Sequence, residues 1–447
     1  MNSDESVDVQ RASGNDLMEL VCDTTGTSMQ VAAVLVLDTR SPVDIAAVRE
    51  AIAERIKAAP RLRQRLVDAP FGCGGPVWVD DPAFAIGDHV TSAECPSPGD
   101  ERALLGLVAR AVTTRLPRDR PLWSITLVTD ISPDRGALVV VFHHVLTDGI
   151  GGLAVLAHLV DGVPVVPEDH GFPRRAPRRR ELAADAIRTR ARAVGKLPTE
   201  IGRLRAAAAE AGIGRQAHAP RCSLNRPTGT NRALAVARVD LTALHAAAHA
   251  QGGTINDAVL SAVAGALRTM LTARGEDVDH LVVSIPVSAR RQAEMAELGN
   301  QVGGFPVEIP TTGDPIRRLA AIARITRQRK TAAPGSSAVL IGWMFRALAK
   351  IGVYRWFVDR QRLINTFVSD LHGPDHAMSF LGAPVVDLIP VSGISGNVTV
   401  SFVALSYAGT LTVTVIADPD RAPDLEDLAE ALRRELHAQT PGGPAPT

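Results

Sequence analysis

The sequence predicts an α/β protein of two domains, and three observations carry that reading. The chain has 447 residues, beyond the roughly 250–300 at which a single hydrophobic core usually stops growing. Short apolar, largely β-branched runs, of the kind buried on both faces of a sheet, alternate with segments whose apolar positions recur at helical spacing. Between the halves, residues from about 163 to 230 are punctuated by Pro164, Pro167, Pro173, Pro177, Pro198, Pro220 and Pro227. The expected division is a disordered leader 1–11, a first domain 12–165, a linker with helices 166–230, a second domain 231–438 and a disordered tail 439–447.

Composition excludes several functions. A formal net charge of zero argues against general nucleic-acid binding. Cys22, Cys73, Cys95 and Cys222 are scattered, with no CxxC pair and no disulfide-framework density, which fits a reducing compartment. The opening MNSDESVDVQ is polar and acidic, unlike a signal peptide, and no run of 18 uncharged apolar residues is present to span a membrane. The expected location is the cytoplasm, with peripheral contact to a membrane or lipid droplet open.

In the first half, Ser28 to Asp38 reads as a buried strand and Pro42 to Ala59 as a helix begun at Ser41-Pro42. PRLRQRL (60–66) and PVWVDDPAFAIGDHV (76–90) follow, then a helical period from Asp100 to Leu116. Pro121-Leu122-Trp123 opens the strand WSITLVTD, where Trp123 is expected to pack in the core. Ala137 to Phe142 is an apolar strand ending in His143 and His144. A short connection leads to Asp148 and Gly149, and Ile150, Leu153, Leu156, Ala157 and Val160 start a helix.

That strand end is a rigid mount for polar chemistry. Neighbouring side chains on a strand face opposite ways, so one histidine should face a cavity and the other the fold interior. Histidine is the natural general base near neutral pH, and a buried Asp148 would need a partner to hold the loop. Two satisfied core histidines are the competing reading. No further His/Cys cluster at ligand spacing accompanies the pair, so no metal is expected.

The linker is basic. From His170 to Arg221, 12 Arg and one Lys face four acids, 13 − 4 = +9, leaving −9 for the rest of a neutral chain. It reads either as a solvated interdomain helix pair or as a face for anionic lipid headgroups or CoA phosphates.

The second half opens with a strand from Ala233 to Val239, a helix from Thr242 to Ala250 and a long amphipathic helix from Thr254 to Leu271. Asn256 and Asp257 fall in its first turn, where capping accounts for them. Strands follow at Leu281 to Val287 and within GNQVGGFPVEIP (299–310), then a basic helix from Asp314 to Lys330. Ser336 to Val358 reads as one apolar helix interrupted by Arg346, Lys350 and Arg355, suited to a bilayer interface, a lipid tunnel or a buried position with snorkelling ends. Strands at 398–405 and 410–417 and a helix from Leu425 to Leu436 close the chain.

The HHxxxDG stretch, PLW, the 60–66 and 76–90 segments, the Asn256-Asp257 pair and GNQVGGFPVEIP stand in the order of the bacterial wax ester synthase/diacylglycerol acyltransferase family, and the chain resembles that family from about residue 12 to residue 436. The resemblance implies two chloramphenicol-acetyltransferase-like domains, each a mixed sheet flanked by helices, with a tunnel along their interface. It implies O-acyl transfer from acyl-CoA, a co-substrate rather than a cofactor, to diacylglycerol or a fatty alcohol. His144 would be the base, His143 an orienting residue, and Asp148 with Gly149 the loop anchor. Arg290 would pair with Asp148, and Asn256 and Asp257 would lie near the tunnel, Asn256 as a candidate oxyanion donor. The family has Ser-Asn-Val-Pro-Gly-Pro where this chain has Ser369-Asp370-Leu371-His372-Gly373-Pro374. Asp370 and His372 therefore keep open a different acceptor or a carrier-bound donor, beside a catalytically idle lipid-binding homologue.

Overall fold

A computed structural model describes residues 9–440, except 25, 41–42, 163–170, 193–201, 203–217, 289–301, 333–343 and 346. The first half runs α1 (Gly14–Cys22), β1 (Gln30–Asp38), α2 (Ile45–Arg55), β2 (Gln64–Val67), β3 (Val77–Asp80), β4 (Val90–Glu94), α3 (Glu101–Thr113), β5 (Trp123–Ser132), β6 (Arg135–His143) and α4 (Gly149–Leu159). The second runs β7 (Ala233–Asp240), α5 (Leu241–Ala250), α6 (Ile255–Ala273), β8 (His280–Ser288), β9 (Val302–Pro310), α7 (Pro315–Ala332), α8 (Tyr354–Val358), β10 (Thr366–His372), β11 (Ser379–Phe380), β12 (Ala383–Val391), β13 (Val400–Tyr407), β14 (Thr410–Ala417) and α9 (Leu425–Ala438).

Two six-stranded sheets result, ordered β11-β12-β1-β6-β5-β4 and β7-β14-β13-β10-β8-β9. Both are mixed: β4–β5 and the β10 pairings with β8 and β13 are parallel, the others antiparallel. Helices cover them, as the apolar runs predict. β6 is buried from Gly136 to His143, because neither face meets water. In α6 every residue from Asp257 to Leu267 is buried, since α7, α9 and the second sheet enclose it.

One strand pair crosses over. Residues 379–391, grouped by chain order with the second domain, extend the first sheet, with β12 beside β1 in the register Ala32↔Val391 to Leu37↔Val385. Asp161 pins the hairpin: its carboxylate accepts from Ser379 Oγ (2.9 Å) and from the N–H groups of Leu381 (3.1 Å) and Gly382 (2.9 Å), and pairs with Arg55. A shared apolar layer joins the sheets, with Ala32 and Val34 of β1 against Leu234 and Val236 of β7 and Val403 of β13. Arg238 of β7 reaches across it to Glu101 of α3 and Asp387 of β12.

Three expectations change. Residues 9–11, placed in the disordered leader, are held: Arg11 bridges Val77 and its Nε lies 2.6 Å from Asp185 Oδ2 on the linker helix at 179–192. Gln439, placed in the tail, is buried and donates to Ala258 O at 3.2 Å. The helix expected through Ser336–Val358 is broken among its described residues: the turn at 347–350 ends at Gly352, whose φ of +74° suits glycine, and α8 starts afresh. No helix among the described residues is long and apolar enough to cross a membrane.

Candidate active site

The site is assembled on the β6–α4 connection. His143 ends β6, opposite Gln30 of β1, and its side chain is sealed at 4% exposure. The Val145 N–H donates to His143 Nδ1 at 3.0 Å, so the ring proton belongs on Nε2. That nitrogen lies 3.4 Å from Asp23 Oδ2, long for a hydrogen bond, so the contact is chiefly electrostatic. Arg118 Nη2 is 2.6 Å from the same oxygen and Arg115 Nη2 3.3 Å from its partner. Burial opposes the Asp23 charge, but His143, Arg118 and Arg115 outweigh it and hold the carboxyl below its ordinary pKa.

His144 is placed differently. Its backbone N–H donates to Met29 O at 2.7 Å, while the side chain keeps 26% of its surface open. Its Nδ1 lies 3.9 Å from Glu19 Oε1, which leaves Nε2 as the nitrogen away from that carboxylate. Glu19 lies in α1 and Asp23 caps its C-terminal end, its N–H donating to Glu19 O at 3.0 Å, so each carboxylate faces one of the two histidines.

Neither carboxylate was found from sequence. The available signal was Ser13-x-x-Asp16 ahead of Leu17, Met18, Leu20 and Val21, which the structure shows as a full capping box starting α1. Cys22 on the same helix accepts from Tyr354 Oη at 2.8 Å. Burial, then the Glu19 charge, pushes this thiol up to about 12, so it is no nucleophile.

Asp148 caps α4: its Oδ1 accepts from the Gly151 N–H at 2.9 Å and its side chain is buried. Gly149 is a close-approach glycine, because a Cβ there would stand 3.0 Å from Leu371 Cδ2 of β10. At this point the second half touches the histidine loop. Arg290 lies outside the described residues, and so does its pairing with Asp148.

Asn256 and Asp257 are not brought to that loop by any bond described. Asp257 closes a capping box with Thr254 and accepts from Thr326 Oγ1 at 2.7 Å, tying α6 to α7. Asp370 and His372 flank Leu371 on β10. Burial pushes the Asp370 carboxyl up to about 6, against a smaller opposing effect of His372. His372 is open to solvent, with Nδ1 3.2 Å from Ser406 Oγ and Nε2 3.6 Å from Asp375 Oδ1. Among the described residues, no group of three or more His, Cys, Asp or Glu is placed to hold a metal ion.

Residues 13–259 match the wax ester synthase/diacylglycerol acyltransferase catalytic domain, and residues 298–439 match that family's C-terminal domain. The chain belongs to this family. A protein of Mycobacterium tuberculosis H37Rv named as a probable diacylglycerol O-acyltransferase is 29% identical over 426 residues, covering 91% of this chain and 90% of its own. The wax ester synthase/diacylglycerol acyltransferase of Marinobacter aquaeolei VT8 shares the fold with a TM-score of 0.70 and 22% identity, over 96% of this chain and 98% of that one. A starter condensation domain of rhizomide synthetase, solved in complex with C8-CoA, aligns with a TM-score of 0.61 and 16% identity, over 96% of this chain and 94% of its own. As a wax ester synthase/diacylglycerol acyltransferase family member, the chain carries the two-domain fold of the chloramphenicol-acetyltransferase type, with the HHxxxDG stretch at a contact between its halves.

Proposed function

We propose that this acyltransferase moves a long-chain acyl group from acyl-CoA to the hydroxyl of diacylglycerol or a fatty alcohol, with His144 as general base. The observation that carries the reading is the unequal pair: His143 is sealed beside Asp23, while His144 stays open beside Glu19. His144 Nε2 takes the proton of the acceptor hydroxyl as its oxygen attacks the thioester carbonyl. The tetrahedral oxyanion collapses, the C–S bond breaks, and the CoA thiolate takes the proton back from the imidazolium. No acyl-enzyme forms, and acyl-CoA is consumed as co-substrate. Arg290 opposite Asp148, and Asn256 at the channel wall, remain parts of this proposal, as does peripheral contact with a lipid surface that delivers the acceptor.

A purified-protein assay of CoA thiol release, run with several acyl-CoAs against diacylglycerol and fatty alcohols, tests it. His144→Ala should lower the rate by at least about a hundredfold; release that persists unchanged contradicts the base. A second reading, transfer to another acceptor or from a carrier-bound donor, is favoured by Asp370 and His372 beside the Leu371–Gly149 contact. Turnover with none of the lipid alcohols but with an amine or a carrier-bound acyl group would select it.

A further inference from the structure

We propose that residues 350–363, a stretch packed through Tyr354 against the helix that carries Glu19, form a docking patch that seats the protein on an anionic lipid surface. Large apolar side chains are exposed here in close succession: Ile351 (69%), Val353 (37%), Trp356 (62%) and Leu363 (42%). The positive φ of Gly352 makes the turn that holds Ile351 and Val353 outward. Lys350, Arg355, Arg360 and Arg362 are exposed among them, and the only acid in the stretch is Asp359, half-buried with Oδ2 3.7 Å from Arg355 Nε. Arg360 stands over the Trp356 ring at 5.6 Å. Apolar tips ringed by cations match the boundary between acyl chains and anionic headgroups.

Charge argues against a second copy of the chain as the occupant. A two-fold contact would set the same four cations against themselves, with one carboxylate per copy to offset them. An anionic lipid surface offers the opposite charge and the apolar depth together.

The patch is tied to the candidate site by its own residues. Tyr354, between Val353 and Arg355, points inward, is buried, and donates to Cys22 on the helix that carries Glu19 and ends at Asp23. A Cβ on Gly26, just beyond that helix, would stand 3.8 Å from Arg355 Nη2. One short helix therefore offers Trp356 to the outside and packs Tyr354 on the inside against the helix that carries Glu19. The inference rests on the acyltransferase reading for its purpose alone, since binding is measured without turnover.

The test is flotation of the full-length protein with phosphatidylcholine vesicles, with and without about 30% phosphatidylglycerol. The protein should float with the anionic vesicles and lose them as salt rises. Ile351→Ser/Trp356→Ser should weaken binding at least about tenfold, and Lys350→Gln and Arg355→Gln about fivefold each, while Trp356→Phe keeps most of it. Thermal melts check that each variant is folded. No flotation of the parent, or equal flotation of the folded double serine variant, overturns the proposal. A change of oligomeric state in that variant without loss of flotation assigns the patch to self-association and overturns it too. His144→Ala should float like the parent, and a parent that floats yet transfers no acyl group to any acceptor defeats the catalytic reading and leaves the patch standing.

Discussion

Asp23 and His143, from opposite ends of the first half, face each other at 3.4 Å in the interior, with Arg115 and Arg118 completing the charge balance. The carboxyl's folded pKa is below its unfolded value. Its contribution to stability is therefore full above the unfolded pKa of about 3.9 and is lost as pH falls through the lower folded value. Asp23→Asn should destabilise the protein by about 1–3 kcal/mol at pH 7, and urea melts should show this gap closing below pH 4. A gap of the same size at both pH values removes the ion pair from the account.

Glu19 separates stability from function. Its Oε2 is buried without a hydrogen-bond partner among the described residues, a costly arrangement for a carboxylate. Glu19→Gln should keep or raise the melting temperature, yet lower kcat by about tenfold or more as the anion beside the His144 imidazolium is lost. Unchanged kcat in the folded variant would reduce Glu19 to a packing residue.

Asp161 holds the crossing hairpin by four contacts. Asp161→Ala should cost about 3 kcal/mol, because it also strands the Arg55 charge. Hydrogen exchange should localise the loosening to β12 and its β1 edge. Exchange at residues 379–391 that matches the parent contradicts the pinning.

Asp370 carries a carboxyl raised to about 6. A raised acid favours the fold below the unfolded pKa of about 3.9, and that advantage disappears as pH climbs through 6. Asp370→Asn should therefore be more stable than the parent at pH 8, by an order of magnitude of 2 kcal/mol, and level with it near pH 4. Differential scanning calorimetry at both pH values decides it. Its effect on acceptor choice is read separately, by comparing alcohols in the thiol-release assay.

What was legible in the sequence was local. The apolar run into His143, the helix start near Asp148 and the capping role of Asp257 in the first turn of its helix announce themselves within a few residues, because strand burial and helix capping are short-range. Trp123 packs in the core as read, its Nε1–H bound to Leu62 O at 2.7 Å. What stayed hidden was long-range. Nothing near Glu19 or Asp23 shows that their helix lies against a histidine pair more than a hundred residues on, and period alone does not say that β12 joins the first sheet. The Ser336–Val358 reading missed its break because Gly352 has a helical pattern on both sides.

The crossing of β11 and β12 bears on synthesis. Until the ribosome has released Val391, the nascent first lobe has β1 paired with β6 on one side and an open row of amides and carbonyls on the other. The lobe that holds both histidines is thus finished almost last, after most of its neighbour has been translated. Halves expressed apart would meet this unfinished edge as a route to aggregation.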